Sequence, residues 1–229
     1  MPQLPTPTDK TNTQNGTNLT RRMKHLAKSH RKRGTTHKKI VICVCGMTAS
    51  GKSTVARKIA QKYGLRLFSG GDALKALALE MGYKPLDRGW WESEEGLRFL
   101  QQRQNTPNFD KKVDQKLLEQ ARKGNVVLDS WTMPWLFKNG YKIWIDASKK
   151  VRAKRLARRD EMTLGEAAKV MKEKEEATKA IYSRLYGFHL GEDFSPFDMI
   201  VDTDRLNQDE VFQTVCAVLD RVLFKTVCA

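Results

Sequence analysis

The sequence predicts an α/β fold, a doubly wound parallel sheet of about five strands, over residues 39–229. Three observations predict it. Short apolar runs rich in β-branched residues alternate with segments of helical periodicity. The first run leads directly into a glycine-bounded turn, GMTASGKS, and then into a helix. No internal repeat is visible, so the alternation describes one layered domain.

The elements follow in order. KIVICVC is a continuous apolar run bounded by Gly46, the pattern of a strand buried on both faces. KSTVARKIAQKYG places Val55, Ala56, Ile59, Ala60 and Tyr63 at helical spacing and stops at Gly64. LRLFSGG reads as a short strand and turn, DALKALALEMG as a helix ending at Gly82, and YKPLDRGWWESEEG as a loop. Two helices, GLRFLQQRQ and FDKKVDQKLLEQARKG, are split by Pro107. NVVLDSW and YKIWIDAS are strand-like, and VRAKRLARRD is a basic helix. TLGEAAKVMKEKEEATKAIYSRLYG opens with Thr163 and Glu166 at capping-box spacing. Leu164, Ala167, Ala168, Met171, Thr178, Ile181 and Leu185 form its expected apolar face, and Gly187 closes it. FDMIVDTD is the last strand and DEVFQTVCAVLDRVLF the last helix.

Composition bounds the class. With 40% hydrophobic and 30% charged residues, the chain suits one globular domain carrying an extension. No apolar window approaches a membrane span of roughly 18 residues. No apolar stretch follows the N-terminal basic cluster, which argues against a secretory signal and for a cytoplasmic protein. Cys43, Cys45, Cys216 and Cys228 have no metal-ligand spacing, and Cys43 and Cys45 share one face of a strand. They are read as buried, reduced thiols. Residues 1–39 hold ten Lys or Arg and one acid, Asp9, of a net charge of +16. Residues 1–38 are accordingly read as a disordered basic extension, capable of weak, nonspecific nucleic-acid contact.

The turn carries the chemistry. Gly46, Met47, Thr48, Ala49, Ser50, Gly51, Lys52 and Ser53 fit G-x-x-x-x-G-K-[ST] between a strand and a helix, the context that gives the motif its meaning. Glycines let backbone N–H groups turn toward phosphates, and the helix N-terminus adds its dipole. Lys52 reaches the outer phosphates of ATP, the Ser53 hydroxyl suits Mg²⁺, and Thr54 suits the α-phosphate. Neither D-x-x-G nor N-K-x-D occurs, which excludes a GTPase switch. Asp129 is followed by Ser130 rather than by a water-activating glutamate, unlike the usual motor ATPase. Three of four histidines lie in the extension, leaving His189 in the body. A site without an evident base suits transfer to a phosphate oxygen, an acceptor that is already an anion, catalysed by cations and positioning. Arg155 and Arg159, one helical turn apart with Arg158 beside them, are the candidate cations.

These residues resemble the nucleoside monophosphate kinases, and in particular the short, archaeal-type cytidylate kinases. The resemblance runs from about Ile40 to Leu223 and rests on the phosphate loop, LFSGGDALKALA, FDKKVDQKLLEQARKGNVVLD, KIWIDASKKVRAKRLARRD, and RLYGF followed by FDMIVDTD. It implies a P-loop core, a helical monophosphate-binding insertion over about 72–124 and a small lid over about 155–163. It places Ser69, Gly71, Asp72 and Lys75 at the acceptor, and Asp129 near Mg²⁺ and the transferred phosphate. Arg103, Asp110 and Asp114 are candidates for base or sugar contacts. Lys75, Lys174 and Lys179 stand where the family has arginines, which keeps charge but loses the bidentate fork. Ser130-Trp131 replaces a Gly-Arg pair, removing one expected cation. The implied reaction is ATP-dependent phosphorylation of CMP or dCMP by a monomer. The alternatives are a kinase for AMP, UMP or a sugar-like acceptor, and an RNA-associated ATPase anchored by the basic extension.

Overall fold

The computed structural model describes residues 39–224 except 86–88 and 107. The expectations for the basic extension, for Pro107 and for Cys228 lie outside the described residues. Five parallel strands, β1 (Val41–Cys45), β2 (Arg66–Ser69), β3 (Val126–Asp129), β4 (Tyr141–Asp146) and β5 (Met199–Asp202), form one sheet in the order β2-β3-β1-β4-β5. Helix α1 (Lys52–Tyr63) follows β1. Helices α2 (Gly70–Glu80), α3 (Glu94–Asn105) and α4 (Asn108–Lys123) lie between β2 and β3. A single turn, α5 (Met133–Leu136), follows β3. Helices α6 (Lys149–Asp160) and α7 (Leu164–Tyr186) join β4 to β5, and α8 (Gln208–Leu219) ends the fold.

The central strand sorts the core into layers. All five residues of β1 are buried. Ile42 and Val44 pack with Val55, Ile59, Val211 and Val215 from α1 and α8. Val41 and Cys43 face the other way, onto Leu74, Phe99, Val113 and Leu117 of α2–α4. Cys45, on that same face, meets Ile181, Tyr182 and Phe188. Cys43, Cys45 and Cys216 are free and buried, and burial pushes the Cys43 thiol up to about 12, far from reactive thiolate.

Register then positions the site. Val44 pairs with Asp129 and Ser69 pairs with Asp129, so the carboxyl ends of β1, β3 and β2 stand in a row. Ligands of open parallel sheets bind at these ends. Helix N-termini discriminate further. Ser69, Ser93, Ser148, Thr163 and Asn207 cap α2, α3, α6, α7 and α8 through their side chains. Helix α1 has no side-chain cap and no acid in its first turn. Its N–H groups are left for an anion.

Several readings change in detail. The stretch taken as a loop contains a 3₁₀ turn, Trp90–Glu92, and the start of α3, because Ser93 Oγ accepts from Gly96 N at 3.2 Å and donates to Trp90 O at 2.7 Å. The strand NVVLDSW ends at Asp129, where Ser130 Oγ accepts from Thr132 N and Met133 N and starts α5. On α7, Leu164 and Ala168 are exposed, while Glu175 joins the buried face. The last helix breaks into a π turn at Asp220.

Gly96 shows how closely the turn is packed. A Cβ there would lie 1.9 Å from the Trp90 carbonyl oxygen. Glycine to alanine inside a helix ordinarily stabilises by about 0.5–1 kcal/mol. Here overpacking, about 1–3 kcal/mol, wins. Gly96→Ala is therefore expected to lower the thermal midpoint; a raised midpoint would show that the turn moves away without cost.

Candidate active site

The phosphate loop between β1 and α1 is fixed from outside. Gly46 is required by close approach, since a Cβ would stand 2.3 Å from Ile145 O. Ala49 holds φ 60, a left-handed conformation that costs an L-residue roughly 1–2 kcal/mol. Four neighbours offset that strain. Trp131 Nε1 donates to Gly46 O at 2.5 Å, and Arg155 Nη1 to Ser50 O at 3.1 Å. Glu175 Oε1 accepts from Thr48 N at 3.1 Å, and Arg152 Nη1 donates to Thr48 O at 3.0 Å. Arg152 and Glu175 also bond each other at 2.5 Å, both buried, so one ion pair grips both sides of a single loop residue. The buried Thr48 hydroxyl has no hydrogen-bond partner among the described residues.

A cavity of about 300 Å³ opens beside the loop. Thr48, Ala49, Lys52 and Ser53 form its phosphate-loop side. Ser69, Gly71, Asp72 and Lys75 line it from β2 and α2, and Asp129 from β3. Asp110 and Asp114 enter from α4, and Arg159 from the end of α6. These residues, from five segments of sequence, thus meet in one space. Gly46, Met47, Ser50, Gly51 and Thr54 shape or flank the loop without lining the cavity; Met47 points into the aromatic cluster around Trp144 and Phe188.

Arg155, expected beside Arg159, is not among the residues that line the cavity; it donates to Thr203, after β5, from Nη1 to Oγ1 at 2.9 Å and from Nη2 to O at 2.7 Å. Arg158 is exposed. Lys179 is also away from the cavity, bonded to Glu192 at 2.9 Å, whereas Lys174 lines it.

Electrostatics divide the cavity in two. At the phosphate end, Lys52 lies 5.3 Å over the Trp131 ring. Asp129 is buried and accepts from the Ser53 hydroxyl; burial pushes its carboxyl up, while Lys52 and Ser53 pull it back in part. The Ser53 hydroxyl and the Asp129 carboxylate form an oxygen pair suited to Mg²⁺, a hard cation that draws its remaining oxygens from phosphates and water. Among the described residues no group of three or more His, Cys, Asp or Glu side chains is placed to hold a metal ion. At the far end, Arg103 and Asp110 form a buried pair at 2.6 Å. Asp114 accepts from Thr132 Oγ1 at 2.5 Å and from Tyr186 OH at 2.6 Å.

Sequence reasoning missed Trp91, Glu92, Thr132 and Tyr182, all of which line the cavity. The one available signal was WWE, an aromatic and acidic stretch inside a segment otherwise read as a loop. It also read Trp131 only as a lost cation, although the indole holds the loop.

Strand order, uncapped α1 and a cation-lined cavity define a P-loop phosphotransferase. Solved structures share the fold: a shikimate kinase from Bacteroides thetaiotaomicron superposes with a TM-score of 0.50 at 14% identity, covering 80% of this chain and 97% of that one. An uncharacterised Eubacterium ventriosum protein does so at 0.52 and 18%, covering 80% and 99%. Within the class, the cytidylate kinase-like family matches residues 41–205, and the chain belongs to that family. It is similar to the cytidylate kinases of Pyrococcus horikoshii, 34% identical over 80% of this chain and 90% of that protein. For Methanocaldococcus jannaschii the figures are 31%, 80% and 99%.

Asp114 generates a pH prediction. Burial raises its carboxyl to about 6, against the hydrogen bonds from Thr132 and Tyr186. An acid whose pKa is raised on folding contributes stability below its unfolded value, near 4, that is lost as pH rises through 6. Asp114→Asn does not titrate. Its thermal midpoint relative to the natural protein is expected to climb between pH 4 and pH 6 and stay level above. A difference that does not change with pH would contradict the burial argument.

Proposed function

We propose that the protein transfers the γ-phosphate of ATP to CMP or dCMP, giving ADP and the corresponding diphosphate, with Mg²⁺ bound alongside the nucleotide. The observation that carries the reading is the continuity of one cavity from the phosphate loop to the Arg103–Asp110–Asp114 group. The cytidylate kinase name of the relatives, matched across most of the body, supports the same acceptor.

The chemistry follows from the two ends. ATP phosphates lie against the uncapped N-terminus of α1, with Lys52 on the outer phosphates. Mg²⁺, when bound, neutralises charge on those phosphates. Lys75, Lys174 and Arg159 face the region between donor and acceptor, where negative charge is concentrated during transfer. The acceptor oxygen is already anionic, so no side chain has to remove a proton. Asp129, at the end of β3, orients the Ser53 hydroxyl rather than acting as a base.

At the other end the donor and acceptor pattern suits cytosine. Its exocyclic amine donates, while ring N3 and O2 accept. Asp110 and Asp114 offer acceptors, and the Arg103 guanidinium offers donors beside them. Uracil presents a carbonyl where cytosine has the amine, and a buried carboxylate opposed to a carbonyl leaves both unpaired. Leu74, Leu100 and Val113 provide the apolar wall for the ring. The proposal leaves the basic extension outside the reaction.

A coupled assay of ADP release with CMP, dCMP, AMP, GMP and UMP tests this. CMP or dCMP is expected to give the highest kcat/KM, and Lys52→Ala to lower turnover by orders of magnitude in a folded protein. A preference for AMP, or ADP release indifferent to any monophosphate, would refute it.

A further inference from the structure

We propose that Glu92 is a positioning residue: from the Trp90–Glu92 turn it sets Lys174 and Arg159 over the phosphate loop before nucleotide arrives, and its charge weakens the cavity's hold on polyphosphate. The inference rests on the phosphoryl-transfer reading of the cavity and concerns a residue outside every recognised motif.

The geometry is a three-way junction. The Glu92 side chain is 2% exposed and both its oxygens are used. Oε1 accepts from Lys174 Nζ at 2.5 Å, and Oε2 from Arg159 Nη2 at 2.9 Å. One carboxylate therefore ties the turn before α3 to the middle of α7 and the end of α6. Glu92, Lys174, Arg159 and Lys52 all line the same cavity. Lys174 is held a second way, 5.7 Å over the Trp91 ring. Arg159 is held by Asp160, against which Gly89 packs, a Cβ there lying 3.5 Å from the carboxyl group.

Three cations, Lys52, Lys174 and Arg159, face one cavity and repel one another. Lysine and arginine stems have several rotatable bonds, so unopposed heads swing out to water. A buried carboxylate prevents that. Burial works against its ionised form, yet Lys174 and Arg159 hold Glu92 below the usual carboxylate range. The cations are thus arranged in advance, which is the condition for fixed dipoles and charges to favour a transition state. The same negative charge opposes each incoming phosphate. Removing it is expected to tighten binding and slow turnover, an outcome that loss of mere structure does not produce.

The turn does not depend on this carboxylate for its shape. The Ser93 hydroxyl donates to Trp90 O, Trp90 Nε1 donates to Glu95 Oε2 at 3.1 Å, and Gly96 abuts Trp90. Glu92→Gln keeps the side chain's size, removes its charge, and turns one of the two oxygens that accept from Lys174 and Arg159 into an amide donor.

The test compares the natural protein with Glu92→Gln and Glu92→Asp, full-length and with Mg²⁺. Turnover with CMP is read alongside the dissociation constants of ATP and of inorganic tripolyphosphate from calorimetric titration. Glu92→Gln is expected to lower kcat about tenfold or more while both dissociation constants fall severalfold. Glu92→Asp keeps the charge with a shorter reach, so its kcat should lie between the other two and its ATP affinity should match the natural protein. This second variant decides the matter if Glu92→Gln does not fold. Weaker binding of ATP or tripolyphosphate by Glu92→Gln, or an unchanged kcat in either folded variant, would overturn the proposal. The titrations need no acceptor. A natural protein inactive on CMP would sink the substrate reading and leave the Glu92 question to be settled by binding.

Discussion

The phosphate loop depends on one buried ion pair. Arg152 on α6 and Glu175 on α7 meet at 2.5 Å with side chains 5% and 10% exposed, and between them they hold the carbonyl and the N–H of Thr48. Two charges withdrawn from water pay a large desolvation penalty, and such pairs add little net stability over apolar residues of the same size. The geometry supplies the reason for keeping this one. A loop with Ala49 in a left-handed conformation has to be held by groups that fix backbone atoms in direction as well as position. Arg152 also donates to Ala147 O at 3.1 Å, so the end of β4, two helices and the loop share one network.

From that anchor the site divides its labour. Arg155 secures the far side of the loop through Ser50 and Thr203, while Arg159, one turn on, faces the cavity. Trp131 occupies a position where the family resemblance calls for an arginine, and its indole bonds Gly46 instead. The cavity keeps Lys52, Lys75, Arg103, Arg159 and Lys174 as its lining cations. The end proposed to take the acceptor is lined by apolar Leu74, Leu100 and Val113 together with buried Arg103, Asp110 and Asp114, the usual composition of a small-molecule site.

Much of this was legible in the sequence because it depends on local patterns. The β-branched run KIVICVC, the glycines of the loop and the Thr163–Glu166 capping box each declare their structure within a few residues. The position of the phosphate loop follows from the first two. The rest depends on pairings between distant residues. Glu175 lies in KEKEEATK and Arg152 in a helix dense with basic residues, where either looks like solvated surface until the partner 23 residues away is known. Asp110 and Arg103 are paired across a helix break, and Asp114 with Tyr186 across 72 residues. The expected face of α7 erred for the same reason: periodicity favoured Leu164 and Ala168, and an ion pair placed Glu175 inside.

The central claim is that the Arg152–Glu175 pair shapes the loop for triphosphate rather than stabilising the fold. Replacing both residues by methionine removes the charges together and leaves no buried charge unpaired. ATP titration of that double variant, with its thermal midpoint measured in parallel, tests the claim most directly. The account predicts a folded protein whose ATP dissociation constant is raised about tenfold or more, about 1.4 kcal/mol of binding, with a midpoint lowered only by the unpaired Thr48 N–H and carbonyl. A folded double variant that binds ATP as the natural protein does would contradict it.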